Sequence, residues 1–254
     1  MKLIRNGACF SNPTGSQRRK FLAVVGVLTN RFDASHILAH RGVSVFKILV
    51  KYVSCIPLGY RNQILIDCAE KGLNQLEHTK LWLSVAPMLF SSATYICKMD
   101  IDTFIIPGAL RTVLKSLSSP SVWGHSCWVD PCLWGVRPAS TTMLCMHQKV
   151  LRSCAMLSHV FCGICGGFYA LSYEVALTLS HMANNTALIS LKSRFNENEE
   201  DRFVSHLIRR AYGGNFWFAS DPERWQTYPY YNRTHAAVIH GIKTKSQWRS
   251  VIES

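Results

Sequence analysis

The stretch Thr94–Leu117, TYICKMDIDTFIIPGALRTVLKSL, decides the fold class. Thr94-Tyr-Ile-Cys97 is a β-prone run that reads as a buried strand ending at Lys98-Met-Asp100. Pro107, with its preset φ and missing N–H, suits the first position of a helix. Leu110, Val113, Leu114 and Leu117 follow at i, i+3, i+4 and i+7, a single apolar stripe. A strand passing into an amphipathic helix is the repeating unit of an α/β protein.

The same alternation extends in both directions. Upstream, the apolar, Val-rich Phe21–Leu28 reads as a fully buried strand and Ile64-Leu-Ile66 as a second. Gly72–Phe90 has helical composition, with Leu73, Leu76, Leu81 and Leu83 among polar residues, and is expected to break near Pro87. Downstream, Ser121–Val136 is rich in Trp, Gly and Pro and reads as short strands and turns. Gly166–Ser172 is a strand, and Ser172 is the expected N-cap of a helix over Tyr173–Met182. A further helix begins near Asn198, with Phe203, Val204, Leu207, Ile208 and Ala211 as its apolar stripe. Glu199, Glu200 and Asp201 lie in its first turn, Arg209 and Arg210 in its last, and Gly213-Gly214 stops it. Ala236–Ile239 is a final strand leading to His240, with a short helix from Ser246. The expected fold is α/β with a mostly parallel central sheet, in one domain over 21–254 after a flexible basic leader at 1–20.

Composition bounds the function. Of 254 residues, 48 % are hydrophobic and 17 % charged, which excludes wholesale disorder. Lys and Arg number 28 against 15 Asp and Glu, a formal charge of +13. That balance favours an anionic partner: nucleic acid, acidic membrane or a phosphorylated small molecule. A spanning helix needs about 20 mostly apolar residues, and Phe21–Leu28 and Leu81–Phe90 fall short. No secretory signal stands at the front. Ten cysteines and two sequons, at Asn184 and Asn232, lean towards a lumenal or extracellular setting.

Chemistry concentrates where the scarce acids gather. Asp100 and Asp102, spaced by one residue after a buried strand, can both reach one divalent cation or its water shell. Hard oxygen ligands at a strand's C-terminal end suit Mg²⁺ or Mn²⁺ shared with a diphosphate. The bland alternative is a turn with two solvated acids. Three successive acids at Glu199–Asp201 exceed what capping requires, so Asp201 is a candidate general base, against the simpler role of macrodipole partner. His240, at a strand end, could complete a metal site with Asp102. Cys162-Gly-Ile-Cys165 has half-site spacing, but no second pair follows at the distance zinc requires. Gly166-Gly167 points to a backbone that a ligand or another strand approaches closely. Phosphate-loop, dinucleotide and nucleophile-elbow signatures are absent from the sequence.

In order along the chain, these blocks resemble the β-1,3-galactosyltransferase/N-acetylglucosaminyltransferase superfamily, most closely its trypanosomatid members. Phe21–Asn30 resembles its first nucleotide-domain strand, and Leu65-Ile-Asp67 through Leu73-Asn74 to Thr79-Lys80-Leu-Trp82 its D-x-x-[ED]-x-Y-x-N-L-T-x-K-x-x-x-x-W region. Lys98-Met-Asp100-Ile-Asp102-Thr-Phe104 resembles its K-x-D-D-D-x-F metal motif. Cys165-Gly-Gly-Phe-Tyr-Ala-Leu-Ser172 with Glu200-Asp201 resembles its G-x-x-Y-x-L-S and E-D-V blocks, and His240-Gly-Ile-Lys243 its closing H-x-x-K. The chain departs from the pattern at Ile101, where the family has a middle Asp, and at Arg202, after the E-D pair.

The resemblance implies a GT-A-like, Rossmann-like nucleotide-sugar-binding fold. It implies inverting transfer of a hexose from UDP-Gal or UDP-GlcNAc to a hydroxyl of a glycan or glycoprotein acceptor. Asp102 and His240 would hold Mn²⁺ (or Mg²⁺), with Asp100 supporting the ion's water shell and the ribose. By the same resemblance Lys98, Asp100 and Asp102 would form the donor side, Gly166, Gly167 and Glu200 would line the acceptor or donor pocket, and Asp201 would be the base. The implied setting is the Golgi lumen, with membrane association only through an anchor this chain lacks, and no nucleic-acid partner. A catalytically impaired homologue that binds carbohydrate or a partner is the alternative; a basic nucleic-acid binder ranks third.

Overall fold

Six consecutive apolar residues, buried on both faces, make β1 (Ala23–Leu28) a central strand. The computed structural model describes residues 21–29, 46–59, 62–65, 75–129, 161–183, 200–213, 218–221 and 223–253. The 1–20 leader, the Asn184 sequon and the Asp67–Asn74 part of the second motif block lie outside them. After β1 come β2 (Ile48–Ser54), β3 (Gln63–Leu65), helix α1 (Gln75–Leu89), β4 (Tyr95–Asp100), β5 (Thr103–Ile105) and α2 (Pro107–Ser116). The chain continues through β6 (Val122–Val129), β7 (Phe161–Ser172), α3 (Tyr173–Ala183), α4 (Glu200–Tyr212), β8 (Phe218–Ala219), β9 (Trp225–Thr227), β10 (Val238–His240) and α5 (Lys245–Glu253).

Seven strands form one sheet in the order β3-β2-β1-β4-β7-β6-β8. Four of its six pairings are parallel; β7 runs antiparallel to both β4 and β6. The expected α/β fold with a mostly parallel sheet is therefore the observed one. Strand periodicity sorts side chains into two layers. Val24, Ile96, Tyr169 and Leu171 pack under α1, α3 and α4, with Trp82, Leu83, Val175, Leu179, Phe203 and Leu207. Val25, Val27, Cys97, Met99 and Phe168 face the opposite way, against Leu110 and Leu114 of α2 and Trp225 and Val238 of a small second sheet. That sheet has the order β5-β10-β9.

Several local expectations need correction. α1 does not break at Pro87 but runs through it to Leu89. Pro87 lies in the last turn, so it removes the hydrogen bond to Leu83 O but leaves the turns before it intact. The buried Pro87 carbonyl accepts from Tyr173 Oη at 3.3 Å, and Phe90 N–H still reaches Ala86 O at 2.9 Å. The Ser172 hydroxyl ties two strands instead of serving as the expected cap, accepting the Ser121 N–H at 3.1 Å. The last strand includes His240. Strand β2 is absent from the expectations because Lys51 interrupts its apolar run, although Ile48 and Val53 are fully buried and Tyr52 is buried beside them. α4 ends as expected, at Gly213 with φ +80° and its N–H on Arg209 O at 2.8 Å.

Candidate active site

The register between β1 and β4 places Asp100 opposite Leu28, at the C-terminal ends of two parallel strands. The strand order reverses here, β2 and β3 lying on one side of β1 and β4 on the other, which opens a crevice beyond the strand ends. Lys98 and Asp100 share the parity of Ile96, so both project into the layer of α1 and α4. Lys98 is completely buried, its ammonium 2.7 Å from Asp100 Oδ1 and paired with Glu200 Oε1 at the head of α4. Burial alone would lower the Lys98 pKa, but the Asp100 and Glu200 charges outweigh it and raise it, so the side chain stays cationic. Gln75, the first residue of α1, donates to Asp100 at 3.3 Å.

α4 begins at this network because its first turn is acidic and its N–H groups point outward there. Asp201 folds back on its own helix, accepting the Arg202 N–H at 2.7 Å. Burial raises the Asp201 pKa above the ordinary carboxylate value, against that hydrogen bond and the charge of Lys98. Burial likewise raises Glu200, opposed first by Lys98. Two adjacent carboxyls with elevated proton affinity beside one buried cation suit proton transfer.

Asp102 sits between β4 and β5. The antiparallel pairing of β5 with β10 seats His240 opposite Thr103. His240 Nδ1 is thereby 3.0 Å from Thr103 Oγ1 and 3.3 Å from Asp102 Oδ1. The Asp102 carbonyl accepts the N–H groups of Gly241 and Ile242, at 3.1 and 3.0 Å, and Asp102 Oδ2 pairs with the ammonium of Lys243. Burial lowers the His240 pKa despite the nearby Asp102 and Asp100 charges, which favours the neutral, ligating imidazole.

Gly166 and Gly167 make the approach possible. β7 carries a bulge here: Tyr169 faces Gly124, whereas Cys165 already faces His125. Gly166 adopts φ +84°, and a Cβ on it would stand 2.9 Å from the Trp225 ring. A Cβ on Gly167 would overlap His240 Nδ1 and Thr103 Oγ1. The expected close backbone approach is present, and protein side chains make it.

Three buried polar atoms around this bulge make no hydrogen bond: Asp102 Oδ1, which meets His240 Nδ1 at 3.3 Å without hydrogen-bond geometry, Tyr169 Oη and Trp225 Nε1. Leaving such atoms unpaired costs about 1–3 kcal/mol each, so their concentration at one place marks a site built for something else to satisfy. The Trp225 ring lies between His125 (centroids 4.5 Å, stacked) and His240 (5.6 Å). The donor chemistry of Asp102 and His240 suits a hard divalent cation: one buried, unpartnered carboxylate oxygen beside a neutral imidazole. Among the described residues, no group of three His, Cys, Asp or Glu side chains is close enough to hold a metal alone. Any ion here would draw its remaining ligands from water or a bound anion.

The structure thus brings Lys98, Asp100 and Glu200 together, with Asp201 next in the chain, and separately joins Asp102, His240 and Gly167. Lys243, Gln75, Tyr169, Thr103 and Trp225 were not singled out from sequence. Two of them left a signal: Lys243 closes the H-x-x-K segment, and Tyr169 is the tyrosine of the G-x-x-Y-x-L-S block.

No family model matches the chain, and no curated relative does. Among solved structures, a glycosyltransferase involved in glycosylation of the major capsid of PBCV-1 is 12 % identical with a TM-score of 0.42, covering 91 % of this chain and 99 % of that one. The galactosyltransferase LgtC, in complex with donor and acceptor sugar analogues, is 12 % identical with a TM-score of 0.44, covering 91 % and 95 %. Mouse xyloside xylosyltransferase 1 is 13 % identical with a TM-score of 0.43, covering 87 % and 97 %. At such scores these likenesses do not bear on what this chain does.

Proposed function

We propose that the chain is a metal-assisted, inverting glycosyltransferase with a GT-A-like fold. It would move galactose or N-acetylglucosamine from a UDP-sugar to a hydroxyl of a glycan or glycoprotein. The supporting observation is convergence: the motif blocks on β4, the head of α4 and the end of β10 meet at the C-terminal edge of the parallel strands. Asp102 and His240 would hold Mn²⁺ or Mg²⁺, with Asp100 beside them. When bound, the ion offsets negative charge on the departing diphosphate. Asp201 would accept the proton of the acceptor hydroxyl, and the orphaned Tyr169 and Trp225 groups would donate to ligand oxygens.

One observation favours a second reading, an impaired homologue that only binds. Asp102 Oδ2 is already paired with Lys243, which would have to yield to an ion. A Golgi setting is what the resemblance implies for such an enzyme. No helix among the described residues is long and apolar enough to cross a membrane.

The deciding experiment is UDP release from a panel of UDP-sugars with a glycan acceptor, with Mn²⁺ and with EDTA. Release with one or two donors, lost on chelation, is the expected result. No release with any donor, combined with retained UDP binding, establishes the binding-only reading instead. Release that is indifferent to EDTA removes the metal from the proposal.

A further inference from the structure

Lys98 pairs with two of the four carboxylates of the site, Asp100 and Glu200. It sits on a central strand, completely buried, with its ammonium between Asp100 at the crevice edge and Glu200 at the head of α4, and 5.8 Å from the Tyr169 ring centre. A buried lysine is expensive and persists only where its charge is used. Structural economy would have put a methionine here, as at Met99 on the same strand, and an uncharged residue at position 200.

We propose that Lys98 is a positioning residue: it locks the donor-side carboxylate of Asp100 and the helix start that carries Asp201 into one charged unit, so that donor binding and acceptor activation are coupled through its ammonium. The proposal rests on the glycosyltransferase reading. Its physical content is that Asp201 sits in a field made by few groups. From β4 come the charges of Lys98 and, beyond it, Asp100; from β7 come the Gly166 N–H, which donates to Asp201, and the Tyr169 phenol; its own helix supplies Glu200 and Arg202. α1 contributes Lys80, which lies over the Phe203 ring. α3 meets α4 one end away, through Tyr212 and Thr178.

Two substitutions push that field in opposite directions. Lys98→Met removes the positive charge that favours ionised Asp201, so the acidic limb of the kcat–pH profile moves to higher pH. Glu200→Gln removes a negative neighbour and keeps an acceptor for Lys98, so the limb moves to lower pH. Both loosen the unit, and kcat falls by about 10–100-fold, the scale of a small misplacement of reacting groups. The donor KM rises in Lys98→Met, because Asp100 loses its closest anchor.

The experiment measures kcat and KM for the donor from pH 5 to 9 for the wild type, Lys98→Met, Glu200→Gln and the double variant. UDP binding is measured by calorimetry, and melting curves confirm folding. Limbs displaced in opposite directions, with a double variant between them, support the proposal. Folded single variants whose limbs stay at the wild-type position overturn it, since a merely structural lysine changes stability and not the profile. If Lys98→Met does not fold, Glu200→Gln decides alone, and an unmoved limb there overturns the proposal. A wild type that binds no UDP overturns the transferase reading itself, and this inference with it; an active wild type with unmoved variants overturns only the inference.

Discussion

His240 Nδ1 lies 3.3 Å from Asp102 Oδ1, on the far side of a two-strand pairing whose register seats His240 against Thr103. The contact joins the turn after β4 to the last strand of the chain, so the late element completes a site that the early one begins. The backbone reinforces it, with Gly241 and Ile242 both donating to the Asp102 carbonyl. The Asp102 backbone is therefore fixed before any ligand arrives, a preorganisation that makes electrostatic stabilisation effective.

Asp102→Asn keeps the volume and the backbone hydrogen bonds but removes the charge. Turnover of UDP-sugar is expected to fall on the order of 10²-fold, with the melting temperature close to wild type. Manganese should no longer protect the protein against heat. An Asp102→Asn variant with undiminished, Mn²⁺-dependent turnover would show that the ion, if it acts, is held elsewhere.

Gly167→Ala tests the close approach itself. The added methyl overlaps His240 and Thr103, and backbone or imidazole must shift, at about 1–3 kcal/mol. Leu114→Ala is the control, because it opens a cavity in the α2 side of the core near the N-terminal end of β4, where Tyr95 Oη meets Leu117 O, away from Asp102 and His240. Both variants should melt earlier. Gly167→Ala should also lose turnover at temperatures where it remains folded, whereas Leu114→Ala should retain it. Equal specific activity in the two folded variants would separate His240 placement from function.

How far these features could be read in advance depends on whether their cause is local. Strand β1, helix α2 and helix α4 carry their cause in their own residues: an apolar run, Pro107 with a leucine stripe, an acidic start with a Gly stop. Asp100 and Asp102 were legible for the same reason, being scarce acids after an apolar strand. The Asp100 link to Gln75 was not legible, because α1 reaches it only through the fold. Trp225 looked like any core aromatic until the positive φ of Gly166 and the bulge in β7 showed what it fills. Lys243 shows the same limit: its pairing with Asp102 follows from the β5–β10 register, and registers between strands far apart in sequence leave no local pattern.

Asp201→Asn removes the proposed base and leaves its hydrogen bond to the Arg202 N–H possible. The expected loss in kcat is about 10²–10⁴-fold, with little change in donor KM. In the wild type, the base works only when ionised, and burial raises its pKa. Activity should therefore fall on acidification at a pH above the ordinary Asp range, and the residual activity of Asp201→Asn should lack that limb. Measuring both profiles with a saturating acceptor checks this, and an unchanged limb in the variant assigns the titration to another group.

The stability of the fold should fall on mild acidification, for a reason separate from catalysis. His78, buried on α1 with Nε2 3.1 Å from Cys55 Sγ, has its pKa lowered by burial, against the charge of Glu77. The folded state then binds fewer protons than the unfolded chain, whose histidines titrate near 6.5. The stabilisation this gives is present above that value and is lost as pH falls through it towards the folded pKa. His125 acts in the same sense, through burial and then through His240. Glu200 and Asp201 act oppositely at lower pH: their raised pKa values stabilise the fold most below the unfolded carboxylate value, and that benefit is lost as pH rises through the folded value. The histidine contribution is isolated by difference. Melting temperatures of the wild type should drop between pH 7.5 and 5.5, and His78→Gln should show a shallower drop over the same interval. Parallel curves for the two proteins would show that His78 is protonated in the folded state as readily as in the unfolded one, and that its burial carries no pH-dependent cost.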